Sequence, residues 1–364
     1  MSNYYIGLMS GTSFDGVDAS LVKTDGVDNF TCIVNHYIPY SKELSSALNE
    51  LSINIGPFLN IERRLTEVHI EAVNAIIKIS RVKASDIKAI GFHGQTIKHD
   101  PQNQTIWQIG NPHLLASKTN INVIYDFRRR DMALGGQGAP LVPIFHQMIA
   151  KDFTVPVGII NIGGVSNITY IDKKLGQLIA FDTGPGNGLI DDACRMHFNL
   201  DYDDEGRIAE SGKVDFKIIN EFLDYQYFKL PYPKSLDRNI FKPFIKTLQD
   251  HTPEDMVASL TYFTVLSIIR AVKLLPNYPE KIFLCGGGSK NSYLVKCLNA
   301  ELKNNNINCE VEDISIINGF DANYVESQAF AYLAARFCSN LPSAFPSTTG
   351  TIKENICGVY VKKY

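Results

Sequence analysis

Three short loops of this 364-residue chain combine glycine with hydroxyl, acid or amide side chains, each directly after an apolar segment. They are Ser10-Gly-Thr-Ser-Phe-Asp-Gly, Asp182-Thr-Gly-Pro-Gly-Asn-Gly and Gly286-Gly-Gly-Ser-Lys-Asn. Small residues let backbone N–H groups approach an anion closely, so the chemistry they suit is phosphate binding. Asp15, Asp18 and Asp182 would then lie near the phosphates. A carboxylate there serves either a Mg²⁺ ion that bridges phosphate oxygens or a nucleophile that gives up a proton. Taken singly, a glycine after a strand makes only a tight turn, and a turn aspartate caps its own backbone. No G-x-x-x-x-G-K-[ST] occurs, and Gly184-Pro-Gly-Asn-Gly has the wrong spacing for a dinucleotide fingerprint. Phosphates, if bound, are bound by paired loops.

The elements that hold these loops form a pattern that returns along the chain. Tyr4–Met9, Val17–Lys23 and Phe30–Ile38 read as three strands, with Val17, Ala19 and Leu21 facing inward and Asp18 and Ser20 outward. Connections this short make them antiparallel neighbours. Helices are expected at 41–51 and 60–81, the second carrying an apolar stripe at Leu65, Val68, Ala72, Ile76 and Ile79. Strands follow at 87–92, 105–109 and 122–126, with a helix at 112–119. The Gly-rich stretch Leu134–Leu141 marks a boundary and a candidate hinge at Gly135–Gly138. Beyond it, Val157–Ile162, Asn167–Ile171 and Gln177–Phe181 repeat the three-strand opening, about 150 residues after the first. Helices at 214–228, 254–275, 291–304 and 322–338, with strands at 282–285 and 309–313, complete a mixed α/β chain.

Composition narrows the partners. The length fits two domains at about 150 residues each. With 35 Lys+Arg against 38 Asp+Glu, the net charge is −3, which argues against a general nucleic-acid binder. No uninterrupted apolar run reaches the roughly 20 residues of a membrane span. The N-terminus has no basic segment followed by an apolar one, so a secretory signal is not expected and the location is cytoplasmic. The seven cysteines include no C-x-x-C pair, and Cys285, Cys297 and Cys309 read as core thiols.

The motifs carry a resemblance. Ile6-Gly-Leu-Met-Ser-Gly-Thr-Ser-Phe-Asp-Gly-Val-Asp resembles the opening of the anhydro-N-acetylmuramic acid kinases. Family-like blocks follow in order at Gly91-Phe-His-Gly-Gln-Thr, Gln108-Ile-Gly-Asn, Asp126–Pro143, Asn161–Thr169, Phe181–Asn187, Pro233-Lys-Ser and Gly286–Asn291. They cover residues 6 to 335. Phe14 stands where Leu or Met is usual, and Ser327 where Ala is more frequent.

The resemblance implies a fold of the sugar kinase, actin and heat-shock chaperone superfamily: two ribonuclease-H-like (actin-like ATPase) domains flanking an ATP cleft. The expected division is residues 1–133 with a C-terminal helix from 320–364, and a second domain over 134–319. The implied reaction opens the 1,6-anhydro bridge of a cell-wall amino sugar and phosphorylates O6 with ATP and Mg²⁺, giving N-acetylmuramate 6-phosphate in peptidoglycan recycling. Asp182 is the implied general base that activates water. The implied ATP-binding residues are Gly11, Thr12, Ser13, Phe14, Asp15, Gly16, Val17 and Asp18, with Gly164, Gly184, Gly186, Asn187, Gly286, Gly287 and Gly288. No protein ligand is firmly assigned to Mg²⁺, which is carried by ATP near Asp15 and Asp18. Arg128 would meet a lactyl carboxylate, and Glu326 and His93 the rest of the sugar. Against these stand a surface Arg in the 128–130 basic triplet, a Glu that complements its helix dipole, and a satisfied buried His. A levoglucosan-type kinase would share every loop. A chaperone-like ATPase would need a peptide-binding domain, for which the chain leaves no room. The partner is thus a small anhydro amino sugar, with no nucleic acid and no membrane, and a homodimer is what the resemblance implies.

Overall fold

The computed structural model describes residues 2–51, 58–101, 103–317 and 320–364. β1 (Asn3–Ser10), β2 (Gly16–Thr24) and β3 (Phe30–Pro39) form the antiparallel meander that their short connections require. β4 (Ile87–Asp100) lies parallel to β1; β5 (Thr105–Ile109) folds back on β4, and β6 (Val123–Tyr125) extends the sheet in parallel. The fourth strand runs past the expected residue 92 because β5 pairs with its second half, from Gln95 opposite Ile109 to Asp100 opposite Thr105. The pattern then repeats. β7 (Val157–Ile162), β8 (Val165–Asp172) and β9 (Gln177–Pro185) are an antiparallel meander, with β10 (Lys281–Cys285) and β11 (Glu310–Asp313) added in parallel beside β7. β12 (Val359–Val361) returns to pair with β6. The strand orders are β12-β6-β4-β1-β2-β3 and β11-β10-β7-β8-β9. Both contain the same five-strand order, and the chain is α/β with two ribonuclease-H-like units.

Unit 1 comprises Met1–Lys151, Asn318–Phe320 and Tyr324–Tyr364, and unit 2 comprises Asp152–Ile317 and Asp321–Asn323. The expected boundary residue 319 lies outside the described residues. Residues 134–138 are tied within unit 1: the buried Asp131 accepts from Gly138 N–H at 2.8 Å and from Thr349 Oγ1 at 2.7 Å. Gln137 N–H donates to the Thr349 carbonyl at 2.8 Å.

In unit 1, α1 (Lys42–Leu51) and α2 (Phe58–Ser80) cover one face of the sheet, with Leu48, Leu65, Ala72, Val73 and Ile76 buried against Val17, Ala19 and Leu21. Ile79, expected on this stripe, is 51% exposed in the last turn of α2. α3 (Pro112–Thr119), capped by Asn111, α4 (Arg129–Ala133) and α5 (Pro143–Ile149) follow. Unit 2 carries α6 (Gly188–Phe198), α7 (Arg207–Ser211), α8 (Phe216–Leu223), α9 (Lys242–Thr247), α10 (Pro253–Lys273) and α11 (Ser292–Asn304). The expected helix at 214–228 stops at Leu223, because Tyr225 is extended before a separate 3₁₀ turn at Gln226–Lys229. α10 is long and apolar enough to cross a membrane by length and composition, but most of it is buried, packed as a core helix of unit 2. Pro at its first turn, the Thr252 cap and Arg270 and Lys273 at its end fix its limits.

α12 (Val325–Cys338) covers the other face of the unit 1 sheet. For that reason Ser20, expected to face outward, is fully buried, and its hydroxyl meets Ser327 on α12 and Asn35 on β3. The helix comes close because Gly7 and Gly91, paired across β1 and β4, have no side chains. A Cβ on Gly7 would lie 1.7 Å from the Ser327 carbonyl oxygen, and one on Gly91 2.1 Å from that of Phe330. Gly91→Ala should therefore destabilise the protein by about 1–3 kcal/mol. Thermal unfolding followed by circular dichroism tests this: a variant melting with the parent would mean that α12 is not seated on this pair.

Candidate active site

The first glycine loop joins β1 to β2 in unit 1. Gly11 stands in the open, the nearest atom to a notional Cβ being Ser13 Oγ at 3.5 Å. Thr12 is half-buried, Ser13 and Asp15 are exposed, and the Ser13 hydroxyl donates to Asp15 Oδ1 at 2.6 Å. Phe14 sits at φ 57° with its ring buried, anchoring the loop from below. The loop is fixed at several other points. Gln95 Nε2 donates to the Gly11 carbonyl at 2.9 Å, Ser45 Oγ to the Phe14 carbonyl at 2.6 Å, and Tyr40 N–H to the Asp15 carbonyl at 2.8 Å. Gly16 packs against Ile38 and Tyr37, while Val17 and Asp18 already belong to β2, Val17 buried and Asp18 half-buried.

Beneath the loop runs a buried chain of donors. Tyr40 OH donates to Ser10 Oγ at 2.9 Å, and Ser10 Oγ lies 2.9 Å from His69 Nε2. His69 Nδ1 lies 2.8 Å from the Leu65 carbonyl, which can only accept, so Nδ1 carries the proton and Nε2 accepts from Ser10. Burial lowers the His69 pKa to about 4 and keeps the ring neutral. Ser10 and Gln95 lie within the sequence motifs but carry no expected role there, and Tyr40 and His69 lie outside them; a buried polar residue has no local signature.

The structure brings His93 and Arg128 together. His93 Nδ1 donates to the Gly94 carbonyl at 2.8 Å, which leaves Nε2 as an acceptor. Arg128 Nε and Nη2 approach that nitrogen at 3.1 and 2.9 Å, and Gln108 Nε2 at 2.9 Å. Burial and the adjacent Arg128 charge hold the His93 pKa well below its ordinary value. Arg128 Nη1 donates to the Gly138 carbonyl at 2.7 Å. Arg128 is thus held by His93 and the Gly138 carbonyl and is half-buried, unlike the exposed Arg129 and Arg130 beside it. Glu326 is half-buried in the first turn of α12. One helical turn further on the same face, Phe330 packs its ring 4.6 Å from that of His93.

In unit 2, β9 does not end at Phe181 but carries Asp182 inside the strand, because both its edges are bonded there. Asp182 pairs with Asn167 on β8, and its N–H donates to the Lys234 carbonyl at 2.9 Å. Asp182 is 7% exposed; Leu236 N–H donates to its Oδ2 at 2.9 Å, and Tyr227 OH to its carbonyl at 2.5 Å. Lys234 is 5% exposed and lies in the field of the Asp182 carboxylate.

The remaining glycines lie where β7, β9 and β10 end. Gly186 N–H and Gly188 N–H donate to the Gly164 carbonyl, and Asn187 N–H to that of Gly163. A Cβ on Gly186 would lie 2.1 Å from the Gly163 oxygen. Gly184 packs against Ser267 and Phe228. Gly286, at φ 78°, packs against Asn161, and Gly288 against Ile162 and Asn187. Gly287 alone of the triplet is exposed. The protein's own atoms therefore account for the missing side chains of Gly184, Gly186, Gly286 and Gly288, and Gly287 offers the open backbone. Among the described residues no group of three or more His, Cys, Asp or Glu could hold a metal ion. None of the seven cysteines is in a disulfide; Cys285 and Cys297 are buried as expected, and Cys309 is half-buried.

The family model described as anhydro-N-acetylmuramic acid kinase matches residues 3–363. The chain is 41% identical over 357 residues to the anhydro-N-acetylmuramic acid kinase of Rhodopseudomonas palustris, covering 95% of each chain. It is 36% identical over 368 residues to that of Hydrogenovibrio crunogenus, covering 98% of this chain and 97% of the relative. Among solved structures it is similar to the (R)-2-hydroxyglutaryl-CoA dehydratase component A of Acidaminococcus fermentans, with TM-score 0.49 and 10% identity over 93% of this chain and 99% of that one.

The buried His69 makes stability depend on pH. Its folded pKa is below its unfolded value, so the unfolded chain binds the proton more tightly, and stability present above pH 6.5 is lost as pH falls toward 4. The loss from this ring is roughly 3 kcal/mol by pH 4. Denaturant unfolding between pH 7 and 4 should show this loss, and His69→Gln, which does not titrate, should make the slope shallower by that amount, the buried His93 and His146 keeping their own share. Equal slopes in both proteins would place the His69 ring in water.

Proposed function

The chain belongs to the anhydro-N-acetylmuramic acid kinase family, and from that premise we propose that it couples hydrolytic ring opening of 1,6-anhydro-N-acetylmuramic acid to phosphoryl transfer from ATP. Water attacks the anomeric carbon as the bond to the bridging oxygen breaks. That oxygen attacks the γ-phosphorus in line as the bond to ADP breaks, and the product is N-acetylmuramate 6-phosphate. Asp182 takes a proton from the attacking water as general base. No separate acid is needed, because the leaving oxygen passes directly to phosphorus.

The setting of Asp182 is what supports this reading most. It is a buried carboxylate inside a strand, with one oxygen fixed by Leu236 N–H and a buried ammonium nearby. A base held on a rigid element keeps its geometry through the reaction. For the sugar, Arg128 offers a guanidinium to the lactyl carboxylate, and His93 contributes by fixing that guanidinium. Glu326 accepts from sugar hydroxyl or amide groups. ATP phosphates are taken by the N–H groups and hydroxyls of Gly11, Thr12 and Ser13, with the rest of the loop through Asp18. Gly164, Gly184, Gly186 and Asn187 and the Gly286–Gly288 triplet serve the remainder of the nucleotide, and Gly287 is their most accessible backbone.

Mg²⁺ fits as an ion carried by the nucleotide: the exposed Asp15 and half-buried Asp18 lie on the phosphate loop, and no three-ligand cage is built among the described residues. When bound it neutralises charge on the phosphate oxygens. Cysteines outside disulfides fit a reducing cytoplasm, and the product fits recycling of cell-wall peptidoglycan.

Asp182→Asn should keep ATP affinity within a few-fold and lose turnover by roughly 10²–10⁴-fold. Calorimetric nucleotide titration and a coupled ADP assay measure the two. Near-parent turnover would remove Asp182 from the role of base. Product mass should show one added water and one phosphoryl group, and levoglucosan in the same assay should be the poorer substrate. The reverse preference would assign the chain to simple anhydrosugars.

A further inference from the structure

Lys234 is the least expected charge in unit 2. An ammonium that is 5% exposed is costly unless its surroundings replace water. Its Nζ donates to the carbonyls of Leu230 at 3.1 Å and Tyr227 at 3.3 Å. It also stands 4.8 Å from the centre of the Tyr227 ring and 5.8 Å from that of Phe181. These contacts supply partial negative charge, while the full negative charge acting on it is that of Asp182.

The two residues are also joined through the backbone. Residues 234–236 run along the edge of β9 and grip Asp182: the Lys234 carbonyl accepts its N–H, and Leu236 N–H donates to its Oδ2. Tyr227, which accepts from Lys234 through its carbonyl, donates its hydroxyl to the Asp182 carbonyl. Carboxylate and ammonium are therefore set by one short clamp. We propose that Lys234 is a positioning residue of the reaction, its buried ammonium keeping the Asp182 carboxylate ionised while the backbone of residues 234–236 holds that carboxylate for the attacking water.

Electrostatic interaction is reciprocal, which gives the proposal its sign. Burial lowers the Lys234 pKa to about 8, and the Asp182 charge opposes that fall. Near pH 7 the ammonium persists, and by the same interaction it favours the charged carboxylate. Among the described residues, the titratable groups facing Lys234 are Asp182 on β9 and the Tyr227 phenol. The phenol is raised well above its ordinary value by burial and by Asp182, so it stays neutral. Without Lys234, that favourable interaction with the charged carboxylate would be lost.

The proposal rests on the reading of Asp182 as base, and the experiment separates the two. Turnover of the full-length enzyme with ATP and 1,6-anhydro-N-acetylmuramic acid is measured from pH 5 to 9 for the parent, Lys234→Met, Lys234→Gln, Lys234→Arg and Asp182→Asn. Circular dichroism selects the folded neutral variant. In that variant kcat at pH 7 should fall at least tenfold, with the acid limb of the kcat profile moved up by one pH unit or more and KM for ATP within threefold. Lys234→Arg should return the limb toward the parent position. An unmoved limb with kcat reduced equally at every pH would make Lys234 structural only and overturn the proposal, as would unchanged kcat. If neither neutral variant folds, Lys234→Arg decides: a limb displaced less than in proportion to its lost kcat overturns the proposal. Turnover surviving in Asp182→Asn would sink the base reading, and this proposal with it. An inactive Asp182→Asn beside Lys234 variants with the parent limb would sink this proposal alone.

Discussion

One backbone can lie against another only where no side chain stands between them, and both units are built on that constraint. In unit 1 the paired glycines Gly7 and Gly91 admit α12 to within a distance that a methyl group would forbid. That contact seats Glu326 in the first turn of the helix and lays Phe330 on the ring of His93. His93 in turn directs Arg128. In unit 2 Gly186 lies on the Gly163 carbonyl, and Gly286 and Gly288 lie on Asn161 and Ile162. There the same constraint locks the ends of β7, β9 and β10 into one cluster of loops. These glycines are therefore packed structures first, whereas Gly11 and Gly287 keep open backbone.

Close packing excludes water, and exclusion of water decides what the polar groups can do. A buried histidine is neutral, so His69 links Ser10 to the Leu65 carbonyl, and His93 presents a lone pair to a guanidinium. A protonated His93 would face Arg128 as a like charge. In unit 2 the opposite choice is made, with a carboxylate and an ammonium kept within one clamp. The low dielectric that makes either charge costly alone strengthens each one's hold on the other.

Much of this was legible in the residues. The meander of β1 to β3 followed from short connections and alternation, and its return at β7 to β9 from the recurring apolar strand and glycine turn. Helices α3, α10 and α11 carry Asn or Thr caps that mark their starts. The motifs around Gly11, Asp182 and Gly286 stood out because glycine, hydroxyl and acid side chains clustered locally. Other features were hidden. Ser20 looked outward until α12 covered it, Ile79 looked inward until the helix outran the core, and Asp182 looked like the residue after a strand until residues 234–236 paired with it. Lys234 lay inside a recognisable block without a visible role.

The sequence by itself determined the strand and turn grammar, the two similar units and the family, because each depends on neighbours a few residues apart or on motifs read in order. Only the tertiary structure decided which glycines are already occupied by protein atoms, which histidines are neutral and which lysine answers Asp182. Those properties depend on burial and on partners distant in the chain, such as Ser327 against Gly7 and Leu236 against Asp182. A side chain's charge and bonding capacity are set by what surrounds it in space, and local sequence carries no record of that.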